Sequence, residues 1–235
     1  MKRFVIALLL ALTLFAVPVF ASTVQLTLTG AGPNSSGGVY TYPYEFTVNS
    51  ATNVPLMCDS FKNTVYVGEK WTANVNSITS AGIVGGLYAA ESLTLGSTTY
   101  TSQQAYDAAG LLYLGSLGEG PLASTPGITN LSGGLANWAI WDLFDPGITD
   151  PYGSIPFSLS TLSTLDITAL NDVNTTNDKL LADVVVYTPV PGTQNPSSDC
   201  LPQEYIGTVP EPSSLALMGS GLMGLAGFAR RRLSK

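Results

Sequence analysis

The chain has 235 residues, of which 45% are hydrophobic and only 11% are charged, with 24 glycines and 15 prolines. This composition excludes a disordered chain and favours short strands and turns over long helices. The sequence has no histidine and a formal net charge of −7, which excludes Ser-His-Asp and Cys-His catalysis, histidine-ligated zinc and a nucleic-acid partner.

Residues 1–21 have the three parts of a secretory signal peptide. Lys2 and Arg3 precede an apolar run over residues 4–20, and a small-residue cleavage site follows between Ala21 and Ser22. We therefore expect signal peptidase to remove residues 1–21, which leaves an extracellular domain over residues 22–208.

Alternating apolar and polar residues predict strands in the first third of this domain and again near its end. The run from Thr23 to Thr29, with Val24, Leu26 and Leu28 apolar, is the clearest case. The predicted strands are residues 23–29, 40–48, 56–58, 63–67, 70–78, 181–188 and 203–208. A stretch rich in proline, glycine, serine and asparagine over residues 189–200 predicts a long hairpin or loop.

The middle of the domain changes to helical spacing. Apolar residues three and four apart predict helices over residues 102–117, 132–144 and 159–173, the first after a capping Thr101 or Ser102. Trp138 and Trp141 lie on one side of the second helix, where we expect them to be buried in the core. The fold class that follows is mainly β, a β-sandwich or barrel-like domain, with two or three inserted α-helices.

Cys58 and Cys200 are the two cysteines of the chain. In an oxidising compartment two cysteines most simply form one disulfide, so this pairing is the first interpretation.

A second interpretation of Cys58 comes from a resemblance. The segment around Cys58, followed at distance by Asn137-Trp138-Ala139-Ile140-Trp141, resembles the thioester domains of bacterial surface adhesins. The resemblance implies that Cys58 pairs with the residue at the glutamine position, which is Asn137 here. Because asparagine is one methylene shorter, a degenerate and purely structural relative is the stronger form of this hypothesis.

Two acidic clusters are candidate calcium sites, because Ca²⁺ binds carboxylate and amide oxygens. The first has Asp142, Asp145 and Asp150 after the tryptophan helix. The second has the loop-like spacing Asp172, Asn174 and Asp178. Calcium is the one candidate ion, and no other cofactor is expected.

Residues 209–235 combine a short motif, an apolar run and a basic cluster. Val209, Pro210, Glu211 and Pro212 precede an uncharged run over residues 215–229, and the cluster is Arg230, Arg231 and Arg232. The run predicts a single, marginal C-terminal transmembrane helix, since a bilayer core requires about 20 residues. The arginines place the preceding domain outside the cytoplasm.

The part expected outside the cytoplasm is strongly acidic. It contains three basic residues, Lys62, Lys70 and Lys179, against the 16 acidic residues of the chain, a net charge of about −13.

This tail resembles the PEP-CTERM sorting domain of Gram-negative bacteria. The resemblance implies that exosortase, a membrane-embedded transpeptidase-like enzyme, cuts near the Pro-Glu-Pro motif and delivers the protein to the cell surface. It also implies an association with extracellular polysaccharide and biofilm formation.

We therefore expect an exported protein, anchored briefly in the inner membrane and then located at the cell surface or outside the cell. Its expected role is structural or adhesive, without enzymatic activity. A thioester-like or calcium-assisted adhesin remains the alternative, and an extracellular enzyme that acts on polysaccharide is the third possibility.

Overall fold

The computed structural model describes residues 23–32, 35–36, 38–79, 83, 85–124, 131–149, 155–173, 179–195 and 201–208. The predicted signal peptide and the tail after Thr208 lie outside these residues.

Ten strands and three α-helices form the described part of the chain. The strands are β1 Thr23–Ala31, β2 Ser35–Ser36, β3 Val39–Tyr40, β4 Tyr44–Val48, β5 Ala51–Cys58, β6 Lys70–Ser77, β7 Leu93–Leu95, β8 Thr98–Tyr100, β9 Val184–Pro189 and β10 Tyr205–Thr208. The helices are α1 Ser102–Ser116, α2 Gly133–Phe144 and α3 Leu159–Val173, and a short 3₁₀ helix spans Pro121–Ser124.

Six of the strands close an antiparallel barrel in the order β1-β4-β5-β10-β9-β6. The alternation that predicted β1 is visible in its burial, since Val24, Leu26 and Leu28 point inward. Aromatic rings pack against each other from three strands: the centroid of Phe46 lies 5.8 Å from that of Trp71 and 4.6 Å from that of Tyr205. Large buried rings of this kind fill a small barrel and stabilise it.

The helices and the β7–β8 hairpin are inserted between β6 and β9, and the three helices pack on one another beside the barrel. Gly110 permits α1 to lie close to the barrel, because a Cβ at this position would be 3.0 Å from the Leu181 side chain and 3.1 Å from that of Ile78. Thr101 caps α1 with a reciprocal bond to Gln104. The insertion therefore places α1 and α2 next to the ends of the barrel strands.

The prediction of a mainly β fold with inserted helices is confirmed, and the barrel-like form is the one observed. The predicted strand over residues 63–67 is wrong. There the Glu69 carboxylate accepts from the Tyr66 backbone N–H over 3.0 Å, and the Glu69 N–H donates to the Tyr66 carbonyl over 3.0 Å. These two bonds close a turn, so residues 63–67 form an irregular loop.

Among the described residues, no helix has both the length and the apolar character that crossing a membrane requires. The predicted span over residues 215–229 lies outside them.

Candidate functional site

Cys58 and Asn137 lie next to each other in the fold. Cys58 ends β5, Asn137 lies in α2, and neither side chain is exposed. The Asn137 amide nitrogen donates to the Cys58 carbonyl oxygen over 2.7 Å, and the amide oxygen accepts from the Tyr42 backbone N–H over 2.9 Å. Asn137 therefore links α2 to the backbone of two barrel segments.

The Cys58 thiol is in an unreactive state. Burial raises its pKa well above the ordinary thiol value, and the neighbouring Asp59 carboxyl raises it further. The sulfur donates weakly to the Ser60 carbonyl oxygen over 3.6 Å. Because the thiolate is the nucleophilic form of cysteine, this environment does not activate Cys58. The thioester interpretation is not supported, since Asn137 bonds the backbone of Cys58 and the thiol remains protonated.

The structure shows Cys58 as a free, buried thiol. The predicted disulfide with Cys200 is therefore not seen, and Cys200 itself lies outside the described residues. The Cys58 sulfur is fully buried in the core.

Trp138 and Trp141 are core residues, as the sequence analysis expected. They are 0% and 2% exposed, and the Phe61 ring lies with its centroid 5.7 Å from Trp138 and 4.9 Å from Trp141. These rings pack α2 against the segment after β5 and present no open face for a ligand.

The first candidate calcium cluster is not assembled by its described members. The Asp142 carboxylate accepts from the Gly147 N–H over 2.9 Å, which fixes the turn after α2. Asp145 instead forms an exposed ion pair with Lys62 at 3.0 Å. Asp150 lies outside the described residues.

For the second cluster, Asp172 lies in the last turn of α3, while Asn174 and Asp178 lie outside the described residues. Within the part of the chain that the structure describes, no group of three acidic or cysteine ligands is arranged to hold a metal ion.

A buried acid pair, Asp59 and Glu204, joins the two strand ends that close the barrel. Asp59 follows β5 and Glu204 precedes β10, and both side chains are 0% exposed. Glu204 accepts from the Tyr106 hydroxyl over 2.6 Å and from the Leu87 N–H over 3.0 Å. The two Asp59 carboxyl oxygens have no donor among the described groups. The Asp59 carboxyl faces that of Glu204.

Burial raises the pKa of both members of this pair. For Asp59 the proximity of the Glu204 carboxylate raises the pKa further, because two like charges disfavour ionisation of both groups. For Glu204, hydrogen bonds from Thr188 and Tyr106 partly offset the effect of burial on the pKa. Burial and the Glu204 charge both favour the protonated form of Asp59.

A second acid pair joins two helices. Asp166 of α3 is 0% exposed and faces Asp142 of α2, which is 4% exposed. Burial raises the pKa of Asp166 well above its ordinary value, and the negative charge of Asp142 adds to this effect. Both effects favour the neutral acid form of Asp166, whose two carboxyl oxygens have no hydrogen-bond partner among the described groups.

The sequence analysis missed both acid pairs. Asp166 and Asp142 lie on helices predicted with nearly correct bounds, but sequence alone does not show which faces meet. Asp59 follows the predicted strand over residues 56–58, and Glu204 lies within the predicted strand over residues 203–208, but their adjacency depends on the order in which those strands close the barrel.

A half-open cleft of about 290 Å³ lies beside the first acid pair. The rings of Tyr88 and Phe144 stack along its edge, with centroids 4.5 Å apart, and Glu91, Ser92 and Thr94 contribute polar groups. Tyr88 lines this cleft, and burial together with the Asp59 and Glu204 carboxyls raises the pKa of its hydroxyl. The acids are thus close to an opening but do not line it.

Comparison with known proteins identifies the segment that follows the barrel. Residues 208–232 match the family model of the PEP-CTERM protein-sorting motif. No curated protein and no solved structure matches the chain. The chain therefore carries a PEP-CTERM protein-sorting motif, which implies recognition by an exosortase and export to the cell envelope and surface.

Proposed function

We propose that the protein is a structural or adhesive component of the cell surface or of the extracellular polysaccharide matrix, and that exosortase processes it near Val209, Pro210, Glu211 and Pro212. The observation that carries this proposal is the match of residues 208–232 to the sorting motif. In this proposal the tail anchors the protein briefly in the inner membrane before processing.

The chemistry of the barrel domain favours a role without catalysis. Of its buried carboxyls, Glu204 accepts from the Tyr106 hydroxyl and the Leu87 N–H, and Asp142 accepts from the Gly147 N–H. The Cys58 thiol is protonated, and the sequence has no histidine that would act as a base near neutral pH. The polar groups of the interior therefore stabilise the fold.

The acidic character of the domain fits a surface or matrix component. Three lysines against 15 acidic residues keep the domain soluble at the cell surface. Such a charge disfavours direct contact with anionic polymers, so neutral segments of polysaccharide are the proposed contact.

The sorting step is tested by replacing Pro210, Glu211 and Pro212 with alanine. We expect the variant to accumulate unprocessed in the membrane fraction, whereas the wild-type protein reaches the surface with a shortened C-terminus, as mass spectrometry of both fractions would show. Glu119→Ala, which changes an exposed glutamate of the domain, is the matched control. Equal processing and surface delivery of the triple variant would overturn the proposal.

The adhesive role is tested separately. A strain that lacks the protein is expected to form less biofilm, and the wild-type gene should restore it while the triple-alanine variant should not. Normal biofilm in the deletion strain, with sorting intact in the first experiment, would reject the adhesive role and leave the sorting step standing. Release of sugar from matrix polysaccharide by the purified protein would instead indicate an enzyme.

A further inference from the structure

We propose that Asp59 and Glu204 share one buried proton, that this proton keeps residues 85–91 against the barrel, and that the segment is released when the pH rises.

The hydrogen bonds indicate which carboxyl carries the proton. Glu204 already accepts from the Tyr106 hydroxyl and from the Leu87 N–H, so both of its oxygens have donors. The Asp59 oxygens have none among the described groups. A proton on Asp59 supplies the missing donor and directs it at Glu204, which gives a strong, charge-assisted hydrogen bond.

Titratable groups of every neighbouring element face this pair, and none of them carries a positive charge. They are Cys58 from β5, Tyr88 from the 85–91 segment, Tyr106 from α1 and Tyr205 from β10, with Asp145 acting on Tyr88. The three lysines of the described residues, at positions 62, 70 and 179, are exposed. Because no cation is buried beside the acids, a proton is the group that balances one of the two charges.

The 85–91 segment depends on the same network. The Leu87 N–H donates to Glu204, and the Tyr88 N–H donates to the Tyr106 hydroxyl over 3.1 Å. Gly86 lies so close to Tyr106 that a Cβ there would be 2.7 Å from the ring carbon Cζ. Movement of Glu204 would therefore break its bond to the Leu87 N–H directly and would disturb Tyr106, which holds the Tyr88 N–H.

The direction of the pH dependence follows from proton binding. Both pKa values are raised in the folded protein, so between the ordinary carboxyl pKa of about 4 and the raised values the folded state binds more protons than the unfolded state. The stabilising effect is complete in acid and is lost as the pH rises through this window. Tyr88 lines the cleft, so release of the segment also opens the cleft towards the acids.

The experiment measures hydrogen exchange of the Leu87 and Tyr88 amides in the full chain at pH 5 and pH 8. In the wild type we expect the protection factors to fall by about tenfold or more between these pH values, in proportion to the loss of the bound proton. In Asp59→Asn, where an amide replaces the protonated acid as donor, protection should change by less than about twofold. Asp183→Asn makes the same replacement of aspartate by asparagine at an exposed position and should behave as the wild type.

Tyr106→Phe provides a second variant that retains the ring. Loss of its hydroxyl bond to Glu204 removes an interaction that lowers the Glu204 pKa, so the fall in protection of the Leu87 amide, which donates to Glu204 and not to Tyr106, should move to higher pH. Protection that is independent of pH in the wild type, or an unchanged pH dependence in Asp59→Asn, would overturn the proposal. Recovery of protection at pH 8 on addition of calcium chloride alone would also overturn it, because the pair would then hold a cation.

Discussion

The two buried acid pairs of this protein have similar chemistry and different surroundings. Glu204 accepts from Tyr106 of α1 and from Leu87, so the Asp59–Glu204 pair connects the barrel closure to two other segments. Asp142 accepts from Gly147 in the turn that follows its own helix, so the Asp166–Asp142 pair connects α3 to α2 and one adjacent turn. The effect of a buried acid pair on the fold thus depends on how many other segments donate hydrogen bonds to it.

The largest effect is expected for Glu204→Ala. The substitution leaves the Tyr106 hydroxyl and the Leu87 N–H without their acceptor and removes the partner of Asp59. We expect the free energy of unfolding at pH 5 to fall by about 3 to 5 kcal/mol, as measured by urea unfolding. Exposed Glu119→Ala should change it by less than about 0.5 kcal/mol. A loss below about 1 kcal/mol for Glu204→Ala would mean that the first pair holds no more segments together than the second.

Asn137→Ala should have the next largest effect. Asn137 is a neutral group beside the first pair, and its loss removes the acceptor of the Tyr42 N–H and the donor to the Cys58 carbonyl. We expect a loss of about 2 to 3 kcal/mol in urea unfolding, equal at pH 5 and pH 8. Asn137→Asp has nearly the same size but introduces a buried acid, so its loss should increase with pH. Equal losses for Asn137→Asp at both pH values would contradict the argument that burial penalises a charge at this site.

Asp166→Asn should stabilise the protein. The amide donates to Asp142 without a bound proton, whereas Asp166 needs one and its pKa is raised well above the ordinary value by burial. The stabilisation that the native acid provides is lost as the pH rises, so we expect a gain of about 1 kcal/mol at pH 7 and almost none at pH 4. Thermal unfolding at the two pH values measures this difference. A gain that is the same at both would show that Asp166 is not protonated in the native protein.

Lys62→Ala should have the smallest effect. The Lys62–Asp145 ion pair is exposed, with 73% and 37% of the two side chains accessible. We expect a loss of less than about 0.5 kcal/mol, which disappears in high salt. A larger loss that also changed with pH over the range in which Asp59 titrates would mean that the positive charge of Lys62 acts on the first acid pair through Asp145.

The sequence predicted the helices and strands more accurately than the way in which they pack together. The predicted helix over residues 159–173 coincides with α3, and the predictions for α1 and α2 differ by one residue at an end, because apolar spacing and capping residues are local signals. The β7–β8 hairpin was not predicted, since strands of three residues are too short to show a clear alternation.

The acid pairs required information that the sequence does not contain. Asp59 and Glu204 become neighbours because β5 and β10 pair as antiparallel strands, with Tyr205 opposite Cys58. The motif around Cys58 indicated the thiol as the reactive group, whereas Asp59, the next residue, has the more unusual environment. An acidic residue next to a buried strand end, in a domain with few lysines, is the signal that would have indicated Asp59.

Thr208 is both the final residue of β10 and the first residue of the matched sorting motif. Since β10 hydrogen bonds to β5 on one side and β9 on the other, a cut even a few positions upstream of Val209 would take residues from the closing strand and leave two sheet edges unpaired. A peptidase can therefore cleave this protein only after β10 if the barrel is to remain folded.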